Sequence, residues 1–236
     1  MKTVDTTPYI IVLSPHLDDA VLDVANHIQM WKSQGYAIKI VTLFTTFRTS
    51  TLSRDVRRYT GISFSSPREF ETKRRNEDKA AMRLLGVQWQ HLSYTDGGFR
   101  TYKNKLIYPK FKQLFSGKIS SSDMALLRKI ENSLAQYLRC DRILIPLGIG
   151  GHIDHVLVRL AAEAVFPKEK VGYYADYPYA LSLFNWTVRN IILLLSLRRS
   201  VIPFQKNKEE LLACYTTQIP FIYPNNRHYK EIVLEP

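Results

Sequence analysis

The chain has 236 residues, of which 45% are hydrophobic, and this length and apolar content predict one domain over residues 1–236 with one large core. Two cysteines exclude a disulfide framework, and no Cys-x-x-Cys metal site is present, so a reducing, cytoplasmic compartment is expected. The net charge of +12 predicts anionic partners, and the polar first residues show no secretory signal.

Short apolar runs alternate with longer amphipathic ones, which is typical of βα units around a parallel sheet. The first predicted strand is Tyr9–Ser14. A helix over residues 19–34 follows, and Gly35 ends it. Ala37–Phe44 is predicted as the second strand. The long polar connection Thr45–Pro67 leaves the carboxyl end of that strand, so we expect it to overhang the site as a substrate loop.

The same alternation continues to the end of the chain. The remaining predicted elements are a helix Pro67–Leu85, a strand Trp89–Ser93, an irregular insertion Tyr102–Ser122, a helix Asp123–Leu138, a strand Arg142–Pro146, a helix 153–165, a strand Val171–Ala175, and a tail helix Lys206–Tyr215 before Pro-rich extended chain. The predicted fold class is α/β, a Rossmann-like three-layer sandwich with a mostly parallel sheet and the active site at its carboxyl edge.

The most membrane-like stretch is Ile191–Leu197, which lies between Arg189 and Arg198. It is far shorter than the roughly 20 apolar residues that span a bilayer. We therefore predict a buried helix or strand. A peripheral membrane helix is the alternative, because more apolar residues precede the stretch, namely Leu181, Leu183, Phe184 and Trp186.

Histidines and aspartates cluster after two of the predicted strands. The first cluster is His16-Leu17-Asp18-Asp19, and the second is His152-Ile153-Asp154-His155. Carboxyl ends of parallel strands share one edge, so both clusters are expected in one site. Two His and one Asp with an open position make a hydrolytic zinc site, and a spare Asp makes a general base.

Spacing assigns roles within the two clusters. His16 and Asp19 are three residues apart across a strand-to-helix turn, so both are expected to point at one ion. His155 would supply a third ligand from the other strand end, and Asp18, which projects differently from Asp19, would be the base. One Zn²⁺ per chain is predicted, with Fe²⁺ as the alternative, because imidazole and carboxylate accept either ion. Asp154 would orient an imidazole by accepting its other N–H.

The two clusters resemble the hallmarks of the N-acetylglucosaminyl-phosphatidylinositol de-N-acetylase (PIG-L/LmbE-like) family, a His-Pro-Asp-Asp segment and a later His-Pro-Asp-His. Weaker features of the family follow in order, at Arg74–Glu77, Leu85–Val87, Asp96–Gly98, Tyr173–Tyr179 and Lys208–Gln218. The resemblance implies a zinc-dependent N-deacetylase of an N-acetylated amino sugar or its conjugate. It also implies zinc on His16, Asp19 and His155, Asp18 as the base, and His152 as the residue that supports the oxyanion.

The resemblance extends to the pocket rim, where Arg74 and Asp96 would hold substrate hydroxyls or phosphate. The alternatives are a helix-surface charge for Arg74 and a turn former for Asp96. Tyr177–Tyr179 would wall a sugar pocket or belong to an aromatic core cluster. Gly150 stands where some members of the family carry an oxyanion-assisting Tyr, so that role is unassigned. Other departures are Leu17 and Ile153 in place of prolines and Ala20 in place of an acidic residue.

Basic clusters at residues 54–58, 73–75 and 103–118 favour an anionic conjugate, such as a nucleotide- or lipid-linked sugar. In particular, Arg57 and Arg58 are expected to attract such a substrate. A merely solvated surface is the alternative, and no module specific for nucleic acid is recognised. Two other functions stay open. A metal phosphoesterase often bridges two metals, and a basic polyanion-binding protein with a vestigial metal site would lose no function when Asp18 is changed.

Overall fold

A computed structural model describes residues 8–47, 66–222 and 228–236 of the chain. Within these ranges the strands are β1 (Tyr9–Ser14), β2 (Ala37–Thr46), β3 (Gln88–Thr95), β4 (Thr101–Tyr102), β5 (Lys105–Leu106), β6 (Arg142–Pro146), β7 (Val171–Tyr174), β8 (Arg198–Ile202) and β9 (Glu231–Glu235). The helices are α1 (Asp19–Ser33), α2 (Pro67–Leu85), α3 (Phe111–Leu114), α4 (Met124–Leu134), α5 (Ile153–Val165), α6 (Val188–Ser196), α7 (Asn207–Ala213) and α8 (Ile219–Ile222).

Seven of the described strands form one sheet, in the order β3-β2-β1-β6-β7-β9-β8. The strands from β3 to β7 run parallel, and β9 and β8 are antiparallel to their neighbours. The chain moves outward from β1 to β3 and then returns to the other side of β1 at β6. The order therefore reverses between β1 and β6, and in open α/β sheets a ligand binds beyond the carboxyl ends of the strands at this point.

The central strands are apolar on both faces, because helices cover the sheet on both sides. Residues 10–13 of β1 are fully buried, as are residues 143–145 of β6. One group of helices, α1, α2 and α7, packs together, with α1 against β1, β2 and β9. Another group, α4 and α5, packs together with α5 against β6. The predicted mostly parallel α/β sandwich is confirmed.

Several predicted elements have the observed bounds, namely β1, β6, α2 and α5. The insertion Tyr102–Ser122 was predicted to be irregular, and this is wrong in part. It contains the hairpin strand β5 and the helix α3, with β4 pairing antiparallel to β5. The antiparallel edge of β8 and β9 is absent from the prediction. These two strands do not belong to the alternation of strands and helices, and the sequence of the tail has no hairpin turn signal that would predict their pairing.

The prediction of a buried element at Ile191–Leu197 is wrong for its outer face. The segment belongs to the helix α6, in which Val188 is 74% exposed and Leu195 is 80% exposed. A short run of apolar residues occurs both in buried helices and in helices with an exposed apolar face, so the sequence of this segment did not distinguish the two cases. Among the described helices, none is both long and apolar enough to cross a membrane.

The predicted substrate loop Thr45–Pro67 is described only at its ends. Thr45 and Thr46 extend β2, and Pro67 begins α2 after the cap residue Ser66. Residues 48–65, which include Arg57 and Arg58, lie outside the described residues. The expected role of this loop and of its arginines therefore stays a prediction.

Candidate active site at the switch point

The first motif lies in a turn between β1 and α1 that its own side chains hold. The hydroxyl of Ser14 donates to the carbonyl oxygen of His16 (2.7 Å) and accepts the N–H of Ala20 (3.1 Å). The backbone N–H of His16 donates to Oδ2 of Asp19 at 2.7 Å. This turn directs His16, Asp18 and Asp19 into one pocket beyond the end of β1.

The second motif follows β6 through a turn that requires glycine. Gly148, Gly150 and Gly151 have φ values of 77°, 79° and 68°, a region that disfavours side chains. A Cβ at Gly150 would also lie 2.8 Å from Cβ of Tyr179. Gly150 is therefore required by the approach of Tyr179, which lies beside it and lines the pocket. His152 then begins α5, with its Nδ1 accepting the backbone N–H of Asp154 (3.2 Å).

The two motifs meet as the sequence predicts. Ligand atoms of His16, His152 and His155 lie within 4.8 Å of one another. Oδ2 of Asp19 lies 3.2 Å from Nδ1 of His16 and 3.4 Å from Nε2 of His155. Burial raises the pKa of Asp19, but His155 and His16 outweigh it and hold that pKa below its usual range. A buried carboxylate between two imidazoles is a donor set that fits a divalent metal ion.

Two carboxylates contact the ring nitrogens of His16 and His155 that face away from Asp19. Oδ2 of Asp154 lies 3.0 Å from Nε2 of His16, which is the type of contact that its predicted role requires. Oδ1 of Asp176 lies 2.6 Å from Nδ1 of His155. Each imidazole thus has one nitrogen on a supporting carboxylate and its other nitrogen towards Asp19. Such contacts fix the tautomer and the orientation of a ligating ring.

Asp176 and Arg100 have no role in the sequence-based prediction. Asp176 follows β7 at the same edge as the two motifs, and that position was a usable signal. It also accepts the N–H of Ile149 at 2.8 Å, which ties β7 to the glycine turn. Arg100 pairs with Asp154 and with Asp123, whose Oδ2 lies 2.9 Å from its Nη2. No local pattern marks Arg100, because its partners lie far away in sequence.

Asp18 is buried next to the cluster and pairs with Arg74. Burial raises the pKa of Asp18 to about 6, while the Arg74 guanidinium opposes that rise. Nη2 of Arg74 donates to Oδ2 of Asp18 at 2.9 Å. Arg74 was predicted at the pocket rim, but it is only 4% exposed and forms part of the wall. Its charge lies near the rings of Phe47 and Phe70, at 5.7 and 5.8 Å from their centres.

The pocket around these groups encloses about 670 Å³, including the part that is open to solvent. Asp96 lines it with Oδ2 3.5 Å from Nε2 of His16, while its Oδ1 accepts the N–H of Gly98. Tyr177, Pro178 and Tyr179 also line the pocket. Tyr177 has a core role as well, because its ring stacks on Tyr229 at 4.0 Å.

Comparison with known proteins adds a family match. The sequence model of the family described as PIG-L, GlcNAc-PI de-N-acetylase, matches residues 11–166. A 2'-N-acetylparomamine deacetylase from Streptomyces fradiae is 29% identical over 180 residues, which is 72% of this chain and 57% of that protein. A protein of the same name from Niallia circulans is 28% identical over 185 residues, 71% of this chain and 66% of that protein. The chain thus matches less than two thirds of the length of either relative.

Solved structures share the fold over almost the whole chain. A crystal structure of a deacetylase–bog complex in the biosynthesis pathway of teicoplanin superposes with a TM-score of 0.74 at 20% identity. The superposition covers 96% of this chain and 96% of that one. At such identity the likeness establishes the architecture, and the chemistry has to be argued from the site.

Proposed function

The chain belongs to the PIG-L family of GlcNAc-PI de-N-acetylases, and on that basis we propose that it hydrolyses the acetamide of an N-acetylated amino sugar with the help of one bound metal ion. The products would be a free amine and acetate. The observation that carries this proposal is the position of Asp19. Its carboxylate lies between His16 and His155, beside a second carboxylate, Asp18, in one pocket.

His16, Asp19 and His155 would hold the ion. Zinc suits this set of two imidazoles and one carboxylate, and Fe²⁺ is the alternative. When bound, the ion would polarise the amide carbonyl and lower the pKa of water. Asp154 and Asp176 are positioning residues in this scheme, because each contacts the ring nitrogen of a ligand that faces away from Asp19.

Asp18 would take the proton from the attacking water. A carboxyl with a pKa of about 6 is mostly ionised at neutral pH, yet it is basic enough to accept a proton. Arg74 supports this role, since its charge opposes the rise in pKa that burial causes. The contact at 2.9 Å also fixes one oxygen of Asp18, and the residue lines the pocket.

His152 would donate a hydrogen bond to the developing oxyanion. Burial, and the charge of His16, hold the pKa of His152 well below its usual range, so its ring is neutral. Nδ1 of this ring accepts a backbone N–H, and a neutral imidazole then carries its proton on Nε2. Nε2 would therefore be the donor, and the ring lines the pocket with its centre 4.8 Å from that of His16.

The sugar would bind between the polar groups and the aromatic wall of the pocket. Asp96 and Arg74 are the candidates for contacts to hydroxyl or phosphate oxygens, and Tyr179 offers an apolar ring face. Two relatives are named for an N-acetylated paromamine, which supports a conjugated amino sugar over a simple one. The basic net charge of +12 supports an anionic conjugate among these.

The test is a substrate panel with metal-reconstituted protein. After chelation, Zn²⁺ or Fe²⁺ is restored, and free amine and acetate are measured from N-acetylglucosamine, N-acetylparomamine and N-acetylglucosaminyl-phosphatidylinositol. We expect equal amounts of amine and acetate from at least one conjugate, with one metal per chain. Phosphate release from phosphate esters with two metals per chain would favour a phosphoesterase. Protein that holds its metal but releases no amine from any substrate would contradict the proposal.

A further inference from the structure

Two chain segments lead away from the mouth of the pocket, where Leu114 and Tyr179 line it, and they are residues 101–119 and residues 179–199, called here the rim segments. They meet next to the site. The ring of Phe115 lies 5.5 Å from that of Tyr179 and 4.8 Å from that of His152. Tyr179 in turn lines the pocket and lies against Gly150. Whatever covers Phe115 and Tyr179 therefore also lies next to the entrance to the site.

The second rim segment turns apolar side chains outward. Leu183 is 84% exposed and Phe184 is 101% exposed, just before the helix α6. Within α6 the exposed apolar residues are spaced at i, i+3, i+4 and i+7, and they are Val188, Ile191, Ile192 and Leu195. They form one stripe on the helix surface. The opposite side holds the buried Asn190 and packs Leu193 and Leu194 on the core. The helix is anchored by one face and presents the other.

The charge of the rim segments has a single sign. The chain has 21 acidic residues, but none of them lies in residues 101–119 or 179–199. The first segment carries exposed lysines at five positions, Lys103, Lys105, Lys110, Lys112 and Lys118. In the second segment Arg189 pairs with Glu163 and Arg198 pairs with Glu235, so the five exposed lysines of the first segment carry most of the uncompensated charge. An apolar stripe combined with exposed lysines is typical of a helix that lies in the interface of an anionic membrane.

We propose that the rim segments dock the protein on an anionic lipid bilayer. Leu183, Phe184 and the apolar stripe of α6 enter the boundary between headgroups and acyl chains, and the exposed lysines contact anionic headgroups. A helix of nine residues is about 14 Å long, so it lies in the interface and does not span the bilayer. The pocket mouth then faces the membrane. This docking is independent of the reaction proposed above.

A second copy of the chain fits this surface less well. In a two-fold symmetric dimer the same patch meets itself. The five exposed lysines of each copy would then face those of the other, with no acidic residue in either rim segment to pair with them. Like charges brought together in this way oppose association. An anionic bilayer complements both the charge and the apolar stripe.

Vesicle co-sedimentation tests the proposal with the full chain. We expect binding to vesicles of phosphatidylcholine mixed with phosphatidylglycerol, and much weaker binding to phosphatidylcholine alone. Phe184→Ser and Leu195→Ser should each lower the partition coefficient about tenfold or more, because each removes a large apolar side chain from the interface. The control is Leu84→Ser on α2, an exposed leucine (55%) outside the rim segments, which should leave binding unchanged.

The charge component has its own variants. Lys110→Gln and Lys112→Gln should each weaken binding about fivefold, and added salt should reduce the difference. Lys129→Gln, an exposed lysine on α4, is the control. Equal binding to neutral and anionic vesicles, or no loss with Phe184→Ser, would overturn the proposal. So would a concentration-dependent dimer that Phe184→Ser disrupts, in protein that does not bind vesicles. Circular dichroism of each variant establishes that the fold is retained.

Discussion

Among the described residues, two of the buried groups of histidine and carboxylate differ in what they face. The site cluster comprises His16, Asp19, Asp154, His155 and Asp176. The second, called here the sealed cluster, comprises His27, Lys208 and Glu231, all fully buried. In it, Glu231 lies 3.0 Å from Nδ1 of His27 and 2.6 Å from Nζ of Lys208.

The sealed cluster satisfies its own groups. Nε2 of His27 meets the hydroxyl of Ser200 at 3.2 Å, so both ring nitrogens have partners within the protein. These contacts tie α1 and α7 to the antiparallel strands β8 and β9. In the site cluster, by contrast, ring nitrogens of His16 and His155 converge on Asp19 at the wall of a pocket. Burial and charge are common to both clusters, and only convergence beside a cavity marks a site.

The largest expected effect separates the two histidines. His155→Ala should abolish stoichiometric metal binding and deacetylase activity, because it removes one of three proposed ligands, the ring that Asp176 positions. His27→Ala should retain metal and turnover per folded molecule while lowering the melting temperature. Elemental analysis and thermal denaturation of both variants provide the measurement. If His155→Ala retained its metal, the proposed ligand set would be wrong.

The next effect concerns the proposed base. Asp18→Asn keeps the shape of the side chain and a contact to Arg74 but does not accept the proton of water. Turnover should fall by about 10²–10⁴-fold, while metal content is kept. Asp141→Asn is the matched control, because Asp141 accepts the N–H of Tyr9 outside the pocket. Near-normal turnover of Asp18→Asn would leave Asp18 as a structural partner of Arg74, as expected for a vestigial site.

The contrast between the clusters also explains what the sequence revealed. The site motifs follow β1 and β6, whose apolar runs are visible locally, and the rule for parallel sheets brings their ends together. The strands β5, β8 and β9 could not be predicted in the same way. They are short, and the sequence around them has no regular spacing of apolar residues. The sealed cluster joins residues that are 204 positions apart, as in the bond between His27 and Glu231. No local pattern predicts such a pair.

Side-chain surroundings were the least predictable feature. The family resemblance implies Arg74 at the pocket rim, but Arg74 is buried in the pocket wall, where its pairing with Asp18 offsets the cost of burial. The apolar residues of α6 were expected inside because burial is their usual state. Their exposure depends on which elements pack nearby, and that is a property of the fold as a whole. Asp176 could have been predicted as a site residue, because it directly follows a predicted strand at the site edge.

The third effect tests the sealed cluster as a structural tie. Lys208→Met leaves the buried carboxylate of Glu231 without its cation, so the free energy of unfolding should fall by about 3–5 kcal/mol. Metal content and turnover of the folded protein should not change. Lys206→Met, at an exposed neighbouring lysine, should alter stability by less than about 0.5 kcal/mol. Urea denaturation measures both, and the double variant Lys208→Met/Glu231→Gln should recover part of the loss. Loss of metal binding in Lys208→Met would instead couple the two clusters.

The smallest effect is a dependence of stability on pH that belongs to the sealed cluster alone. Burial raises the pKa of Glu231, but Lys208 and His27 outweigh it and hold that pKa below its ordinary value of 4.5. A carboxyl with a depressed pKa stabilises the fold above its unfolded-state value, and this contribution disappears as the pH falls through the depressed pKa. The difference in unfolding free energy between the parent protein and Glu231→Gln should therefore be constant above about pH 5 and shrink below it.

Comparing the parent protein with Glu231→Gln separates the effect of Glu231 from that of groups whose titration changes the stability in the opposite direction. Asp23 is one of them, because burial and the nearby Asp19 and Asp176 hold its pKa well above its usual range. Its protonated form is the one that the fold stabilises, so acid favours it. Asp23 is present in both proteins, and its effect cancels in the difference. Urea denaturation at a series of pH values measures this difference. A difference that stayed unchanged into strong acid would mean that Glu231 stabilises the sealed cluster by its shape and hydrogen bonds, and that its charge contributes nothing.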